Sequence, residues 1–292
     1  MKPAPFEYQA PESLPAALDL LARHGAEAKV LAGGQSLIPV LNFRLAQPAL
    51  LVDLNRIEGL AGVRRGPDGG LSIGAMTRQR AIEREPLVAE VAPLLAEAVP
   101  WIAHPQIRNR GTIGGSLAHA DPAAELPAVM VALGARFRLA KSGGERWVEA
   151  RDFYHGLFST ALEMDEILVE IAIPPLPLRT GCAFLEIARR HGDYAQAGLA
   201  AVVTLAEDGT CREARLVFLS VGDRPIEAKT AAERLRGERL TADSIAAAAE
   251  TATGEIRPST DVHASAEFKH HLAGVLAKRA LRLASDRAGG RA

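Results

Sequence analysis

Apolar residues near the start of the chain follow first helical and then strand-like spacing. Residues 13–24 place leucines on one helical face, and Ser13 stands where an N-cap is expected, as in an amphipathic helix. Short apolar runs at residues 29–32 and 50–54 predict buried strands. This succession of helix and strands predicts a first α/β subdomain over residues 1–57.

The middle of the chain, residues 58–173, has the pattern of a second α/β subdomain. Short apolar or alternating runs are separated by turns rich in Gly, Pro and Asp, and longer stretches have helical spacing. Asp121 and Pro122 match the N-cap and first position of one helix. Strands are predicted within residues 63–75 and at 135–139, 146–149 and 166–173, and helices from Thr77, at 88–99 and from Asp121.

A proline-rich stretch at residues 174–181 predicts a junction before a third domain, residues 174–292. Three strand-like runs without long helices between them precede three helical segments, which is typical of an antiparallel sheet followed by helices. The predicted strands are residues 183–188, 199–205 and 214–221, and the predicted helices are residues 226–235, 244–251 and 267–283. The predicted fold class is therefore α+β, with two α/β subdomains and a C-terminal domain of antiparallel sheet plus helices.

Composition and charge exclude several classes of protein. The 292 residues are 48% hydrophobic, enough for a substantial core, and the formal net charge of −1 is unlike that of a nucleic-acid-binding protein. No stretch has the length and apolar character of a signal peptide or a transmembrane span. Cys182 and Cys211 are too few to ligate an iron–sulfur cluster and are expected to be reduced thiols of a cytoplasmic protein.

Residues that commonly carry catalysis are not grouped in any known spacing. The histidines lack H-E-x-x-H or related ligand patterns, so no protein-bound metal is expected. The serines include no G-x-S-x-G elbow, which argues against a serine hydrolase. No side chain is therefore assigned a catalytic role.

Two stretches of small residues follow apolar runs and suit a dinucleotide phosphate. A-G-G-Q-S-L occupies residues 32–37, the first glycine loop, and R-G-T-I-G-G-S occupies residues 110–116, the second glycine loop. Glycine permits positive φ and close approach of a ligand, and successive backbone N–H groups can surround an anion. Neither spacing is that of a Rossmann or Walker loop. Either loop alone favours a tight turn, whereas the two together make a turn and an anion site equally good interpretations.

The paired loops closely resemble the two FAD signatures of the medium, flavoprotein subunit of molybdenum hydroxylases, such as carbon monoxide dehydrogenase and xanthine dehydrogenase. The likeness includes H-P-Q-I-R-N-R before the second loop, D-E-I-L-V-E-I at residues 165–171 and F-L-E-I-A-R-R-H-G-D-Y-A at residues 184–195. It covers essentially the whole chain. The resemblance implies a PCMH-type FAD-binding module in the first two subdomains and a flavoprotein C-terminal domain in the third.

The resemblance also implies which residues contact FAD. It assigns both loops to the pyrophosphate and ribityl region, Leu168 to the adenine side and Tyr194 to the isoalloxazine. From the residues alone, Glu125 is explained equally well as a hydrogen-bond partner of a ribose hydroxyl and as a solvated acid in the first turn of a helix, favoured by the helix dipole. A tyrosine at the end of a strand, such as Tyr194, is usually a packing residue. The implied cofactor-binding residues are Ala32, Gly33, Gly34, Gln35, Ser36, Leu37, Thr112, Ile113, Gly114, Gly115, Ser116, Glu125, Leu168 and Tyr194.

Two positions depart from the pattern of many relatives. Ser116 stands where an Asn often follows the second Gly-Gly, and residues 185–188 lack the Lys that often precedes the later basic pair. Arg189 or Arg190 is accordingly either a substitute for that lysine or a surface charge.

The resemblance implies the FAD-binding electron-transfer subunit of a heterotrimeric molybdenum hydroxylase, or of a dimer of such heterotrimers. FAD is expected to be non-covalent, with iron–sulfur clusters in a small partner subunit and the molybdenum cofactor in a large one. One alternative is a self-sufficient flavin oxidase or dehydrogenase, which needs a substrate-directed acid or base that the sequence does not show. The other is a flavin-free assembly subunit, against which the intact glycines of both loops count.

Overall fold

The N-terminal part of the chain forms a parallel sheet beside one helix. In the computed structural model, which describes residues 2–290, the strands lie in the order β1-β3-β2. They are β1 (Glu7–Gln9), β2 (Ala28–Leu31) and β3 (Leu50–Asp53), accompanied by helices α1 (Leu14–His24) and α2 (Leu37–Asn42). The Ser13 hydroxyl accepts a hydrogen bond from the Ala16 N–H and caps α1 as predicted. Because β2 and β3 are parallel, the segments that follow them lie side by side at one edge of the sheet.

The second sheet is antiparallel throughout, with the order β4-β5-β10-β6-β7. Its strands are β4 (Val63–Arg65), β5 (Leu71–Gly74), β6 (Arg136–Lys141), β7 (Gly144–Glu149) and β10 (Ile167–Ile173), and β8 (Tyr154–Gly156) and β9 (Ser159–Thr160) form a separate hairpin. The helices are α3 (Gln79–Arg84), α4 (Pro86–Val91), α5 (Pro93–Ala98), α6 (Pro105–Arg108), α7 (Ile113–His119), α8 (Glu125–Leu133) and α9 (Ala150–Phe153).

The third sheet is antiparallel and carries helices on its outer face. Its strands, in the order β11-β12-β13-β14, are β11 (Thr180–Ala188), β12 (Ala195–Leu205), β13 (Cys211–Leu219) and β14 (Ile226–Glu227). The helices are α10 (Lys229–Leu235), α11 (Ala242–Glu255) and α12 (Ala266–Ala288), of which α12 contacts β11 and β12. No helix within residues 2–290 combines the length and apolar character needed to cross a bilayer.

Helix α8 joins the second sheet region to the third sheet. All of its residues are buried, as expected for a helix that is apolar on every side. It contacts α5 and α7 on one side and β12 and β13 on the other. The two layers therefore share one apolar core, and the face of the third sheet that carries Cys182 and Phe184 belongs to that core.

Two helix predictions in this region are wrong. Residues 88–99 form α4 and α5 rather than one helix, because Pro93 has no N–H to continue the first one. The helix predicted to begin at Asp121 and Pro122 begins at Glu125. Residues 121–124 form a turn in which the Asp121 carboxylate accepts the Ala123 N–H at 2.9 Å, after the left-handed Ala120 (φ 53°) redirects the chain.

The sequence patterns also missed short elements. Strand β1 and helix α2 were not predicted, and the helix expected from residue 226 begins at Lys229, after the two residues of β14. The other predicted strands and helices are confirmed, with shifted ends. The predicted fold class is confirmed, and the division at residues 57 and 173 stays a prediction.

Candidate functional site

The first glycine loop, between β2 and α2, presents backbone N–H groups that have no partner within residues 2–290. Among the described residues, none accepts a hydrogen bond from the N–H of Gly33, Gly34, Gln35 or Ser36. Gly34 has φ +75°, a left-handed conformation that favours glycine. Successive unpaired N–H groups in such a turn form a concave anion site. The loop therefore suits a pyrophosphate.

The second glycine loop has a different role, because its Gly114 and Gly115 lie in the first turn of helix α7. Thr112 is the N-cap, and its hydroxyl accepts the Gly115 N–H at 3.1 Å. The Ile113 and Gly114 N–H groups donate to backbone carbonyls just beyond β5, at 3.0 and 2.8 Å. The N–H groups that the sequence suggested for an anion are thus used to anchor the helix. This loop forms a wall beside the first one.

The two loops are in direct contact because both lack side chains where they meet. A Cβ atom built on Gly33 would lie 2.8 Å from Gly111 Cα and 3.0 Å from the carbonyl carbon of Arg110. A Cβ atom on Gly115 would lie 3.3 Å from that of Ala32. Glycine is therefore required here for close approach of backbone to backbone, as well as for any ligand contact.

Asn55 and Arg78 connect the loops through a polar bridge that sequence reasoning missed. The Asn55 side-chain amide donates to the Ala32 carbonyl at 2.9 Å. The Arg78 guanidinium donates to the Asn55 amide oxygen at 2.6 Å and also to the Arg110 carbonyl. One carbonyl of each loop is thus held by the same pair of side chains. A lone Asn after β3 and a lone Arg before α3 carry no recognisable local signal.

Asp53 fixes the orientation of Asn55. One carboxylate oxygen accepts the Asn55 backbone N–H at 2.8 Å and also contacts its side-chain amide. The other oxygen accepts the Tyr8 hydroxyl at 2.6 Å, and this hydrogen bond is the main reason that the pKa of Tyr8 is raised. The bridge between the loops is therefore supported from the parallel sheet, whose end residue is Asp53.

The three remaining sequence-derived site residues occupy unlike environments. Glu125 is buried at the start of α8, and burial raises the pKa of its carboxyl group to about 7. Tyr194 lies at the surface, with 59% of the residue exposed. Its pKa is raised, first by the partial burial of the side chain and next by the negative charges of Asp121 and Glu125. Leu168 is buried in the core on β10, a strand that contacts α7. Their contacts with a cofactor stay predictions.

Two family models together match most of the chain. The FAD binding domain of molybdopterin dehydrogenases matches residues 4–176, and the CO dehydrogenase flavoprotein C-terminal domain matches residues 182–284. The fold and the site accordingly define a flavoprotein composed of an FAD-binding module and a separate C-terminal domain.

Relatives of known name share this composition over nearly their whole length. The chain is 45% identical to the 6-hydroxypseudooxynicotine dehydrogenase complex subunit alpha of Paenarthrobacter nicotinovorans, covering 99% of this chain and 97% of that one. It is 40% identical to the carbon monoxide dehydrogenase medium chain of Hydrogenophaga pseudoflava, covering 97% and 98%. A solved structure of the Hydrogenophaga pseudoflava carbon monoxide dehydrogenase, lacking the Mo-pyranopterin moiety of its molybdenum cofactor, matches with a TM-score of 0.95 at 41% identity, over 98% of this chain and 99% of that chain.

The chain belongs to the FAD-binding medium subunits of the molybdenum hydroxylases. The family resemblance, the oxidoreductase class and FAD as the cofactor are confirmed.

Proposed function

We propose that this chain holds FAD non-covalently and passes electrons through it, from iron–sulfur clusters of a small partner subunit to an external acceptor. The complex would be a heterotrimer, or a dimer of heterotrimers, whose large subunit carries the molybdenum cofactor. Bound FAD supplies the redox chemistry, and this chain supplies its position and surroundings. Support comes from the family and from relatives that are named as subunits or medium chains.

The observation that carries the FAD site is the set of unpaired N–H groups in the first glycine loop. Gly33 is buried and Gly34 and Gln35 are half-buried, so their N–H groups are costly without acceptors, and phosphate oxygens are suitable acceptors. The second loop lies against the first and limits the space beside it. We assign the pyrophosphate of FAD to the first loop, with Asn55 and Arg78 holding the two loops in register.

A non-covalent attachment is supported by the state of the cysteines. Cys182 and Cys211 are buried free thiols, and burial raises their pKa values to about 12 and about 11, so neither is a nucleophilic thiolate at neutral pH. Both lie on strands of the third sheet, outside the glycine loops. Buried reduced thiols also support the proposal of a cytoplasmic location. Denaturation should release all flavin into solution, and flavin that stays on the precipitated chain would contradict this assignment.

The electron-transfer role is tested by separating the chain from its partners. The full chain loaded with FAD should fail to reduce a dye when given candidate substrates, because the molybdenum centre that would oxidise the substrate is proposed to lie in the large partner subunit. Adding the iron–sulfur and molybdenum subunits should restore turnover. Substrate-dependent dye reduction by the chain alone, without detectable iron or molybdenum, would instead establish a self-sufficient flavoenzyme.

A further inference from the structure

Glu186 is a buried carboxyl group without a hydrogen-bond partner. It lies on β11, where Cys182 and Phe184 face the core shared with α8 while Ala183 faces the core beneath the C-terminal helices. Side chains alternate along a strand, so Glu186 points toward the FAD-binding module. Only 5% of the residue is exposed, and neither carboxylate oxygen has a hydrogen-bond partner among the described residues. Such a group requires an explanation.

Glu125 approaches from the opposite layer. It is the first residue of α8, which packs against β12 and β13, and 8% of it is exposed. Asp121 and Arg108 are the other charged groups that act on it. Glu125 in turn acts on Glu186, where burial first and this neighbouring charge second raise the pKa to about 9. Arg108 donates its hydrogen bonds to Glu83 instead of Glu125, and among the described residues nothing donates to either carboxylate oxygen of Glu186.

The surroundings of Glu186 leave room for a ligand. A cavity of about 260 Å³ beside it is also lined by Trp101 and by the segment that includes Arg190 and His191. Two neighbouring buried carboxyl groups cannot both ionise cheaply, so they titrate as a pair that retains a proton at neutral pH. A neutral carboxyl group is a hydrogen-bond donor, and the described part of the chain offers Glu186 no acceptor.

We propose that Glu125 and Glu186 retain a proton between them and present it, as the O–H of a neutral carboxyl group, to an acceptor atom of the bound flavin. This inference rests on the proposed FAD-binding function and assigns Glu186 a contact that the sequence did not suggest. The flavin ring has carbonyl and ring-nitrogen acceptors, whereas its phosphates are assigned to the first glycine loop. Ionisation of the pair would remove the donor and place a negative charge beside the ring.

The test is the pH dependence of FAD affinity in the full chain. Flavin-free protein is titrated with FAD, with flavin fluorescence as the readout, between about pH 6 and about pH 9.5. The dissociation constant of the wild type should rise about tenfold or more across this range. Glu186→Gln keeps an N–H donor that does not titrate, so its affinity should change with pH clearly less than that of the wild type, and only through Glu125. Glu90→Gln, at an exposed glutamate of α4, should follow the wild type.

A second readout needs no flavin and no variant that must fold. The infrared spectrum of the flavin-free wild type should contain the carbonyl band of a protonated carboxyl group at neutral pH, and this band should disappear as the pH rises through about 9, the raised pKa of Glu186. Absence of this band, or a wild-type affinity that changes with pH no more than that of Glu186→Gln, would overturn the inference and leave the proposed function intact. A wild-type chain that binds no FAD at any pH would contradict the proposed function itself.

Discussion

The contact between the two glycine loops can be tested with a single methyl group at Gly33. In Gly33→Ala the new Cβ would lie 2.8 Å from Gly111 Cα and 3.0 Å from the Arg110 carbonyl carbon. Both neighbours are backbone atoms, so no flexible side chain can move aside and the loops must separate. Gly33 does not have positive φ, which means that alanine adds steric overlap without conformational strain.

The expected magnitude follows from the cost of overpacking. Inserting one methyl group where backbone atoms cannot yield costs about 1–3 kcal/mol. If the loops relieve about 2 kcal/mol of this overlap by separating, the N–H groups of the first loop lose their arrangement. Restoring that arrangement to bind FAD then costs the same free energy, so FAD affinity falls about 30-fold. Gly144→Ala is the matched control, because a Cβ atom there meets nothing within 4 Å and Gly144 also lacks positive φ.

The assay is a titration of both full-length variants with FAD, combined with thermal unfolding of the flavin-free chains. Gly33→Ala should bind FAD much more weakly than the wild type, while Gly144→Ala should bind it equally well. A Gly33→Ala chain with unchanged affinity would show that apposition of the loops does not control the pyrophosphate site. A weakened Gly144→Ala chain would show that the assay responds to any loss of stability.

Three further substitutions test other contacts. Arg78→Ala removes the bridge between the loops and should raise the FAD dissociation constant about tenfold, while Arg64→Ala, at an exposed arginine of β4, should leave it unchanged in the same titration. Lys269→Met should lower the free energy of unfolding by about 1.5–3 kcal/mol in denaturant titrations, because buried Lys269 binds Asp261 at 2.6 Å. Burial of Asp261 opposes its ionisation, but the hydrogen bond from Lys269 and two from backbone N–H groups lower its pKa to about 2. The loss of unfolding free energy in Lys269→Met should therefore persist above about pH 4, where Asp261 is ionised, and shrink as the pH falls toward 2. Arg108→Met should destabilise the chain by about 1.5–3 kcal/mol, measured by the same titration, because it removes a buried guanidinium, leaves Glu83 with Arg80 as its remaining ion-pair partner and leaves the Ile102 and Ala103 carbonyls without this donor; a loss below about 1 kcal/mol would contradict that role.

Local signals in the sequence determined much of the architecture. Ser13 as an N-cap, the apolar spacing of residues 13–24 and the strand-like run at residues 183–188 act within a few residues, and the helix and the strand both form, with slightly shifted ends. The paired glycine loops identified the family because their residue types and their order are specific together. The same local reasoning failed at Asp121, because residues 121–124 form a turn and α8 begins at Glu125.

Tertiary structure decided which of the two glycine loops keeps unpaired backbone N–H groups. The N–H groups of Ile113 and Gly114 are occupied because carbonyls beyond β5 reach them, whereas those of the first loop stay unpaired. Nothing in the two glycine patterns distinguishes these outcomes. Whether a backbone N–H is free depends on what another segment of the chain brings to it.

The same reason explains the residues that sequence analysis missed. Asn55 bonds to a residue 23 positions away, and Arg78 to one 32 positions away. The charge of Glu125 acts on Glu186, 61 positions away, because the third sheet packs on α8. Sequence alone determined the helices, the strands and the family, since these depend on short-range spacing and residue type. Tertiary packing decided which polar groups of the described residues meet, and which have no partner among them, since that depends on contacts between segments distant in the chain.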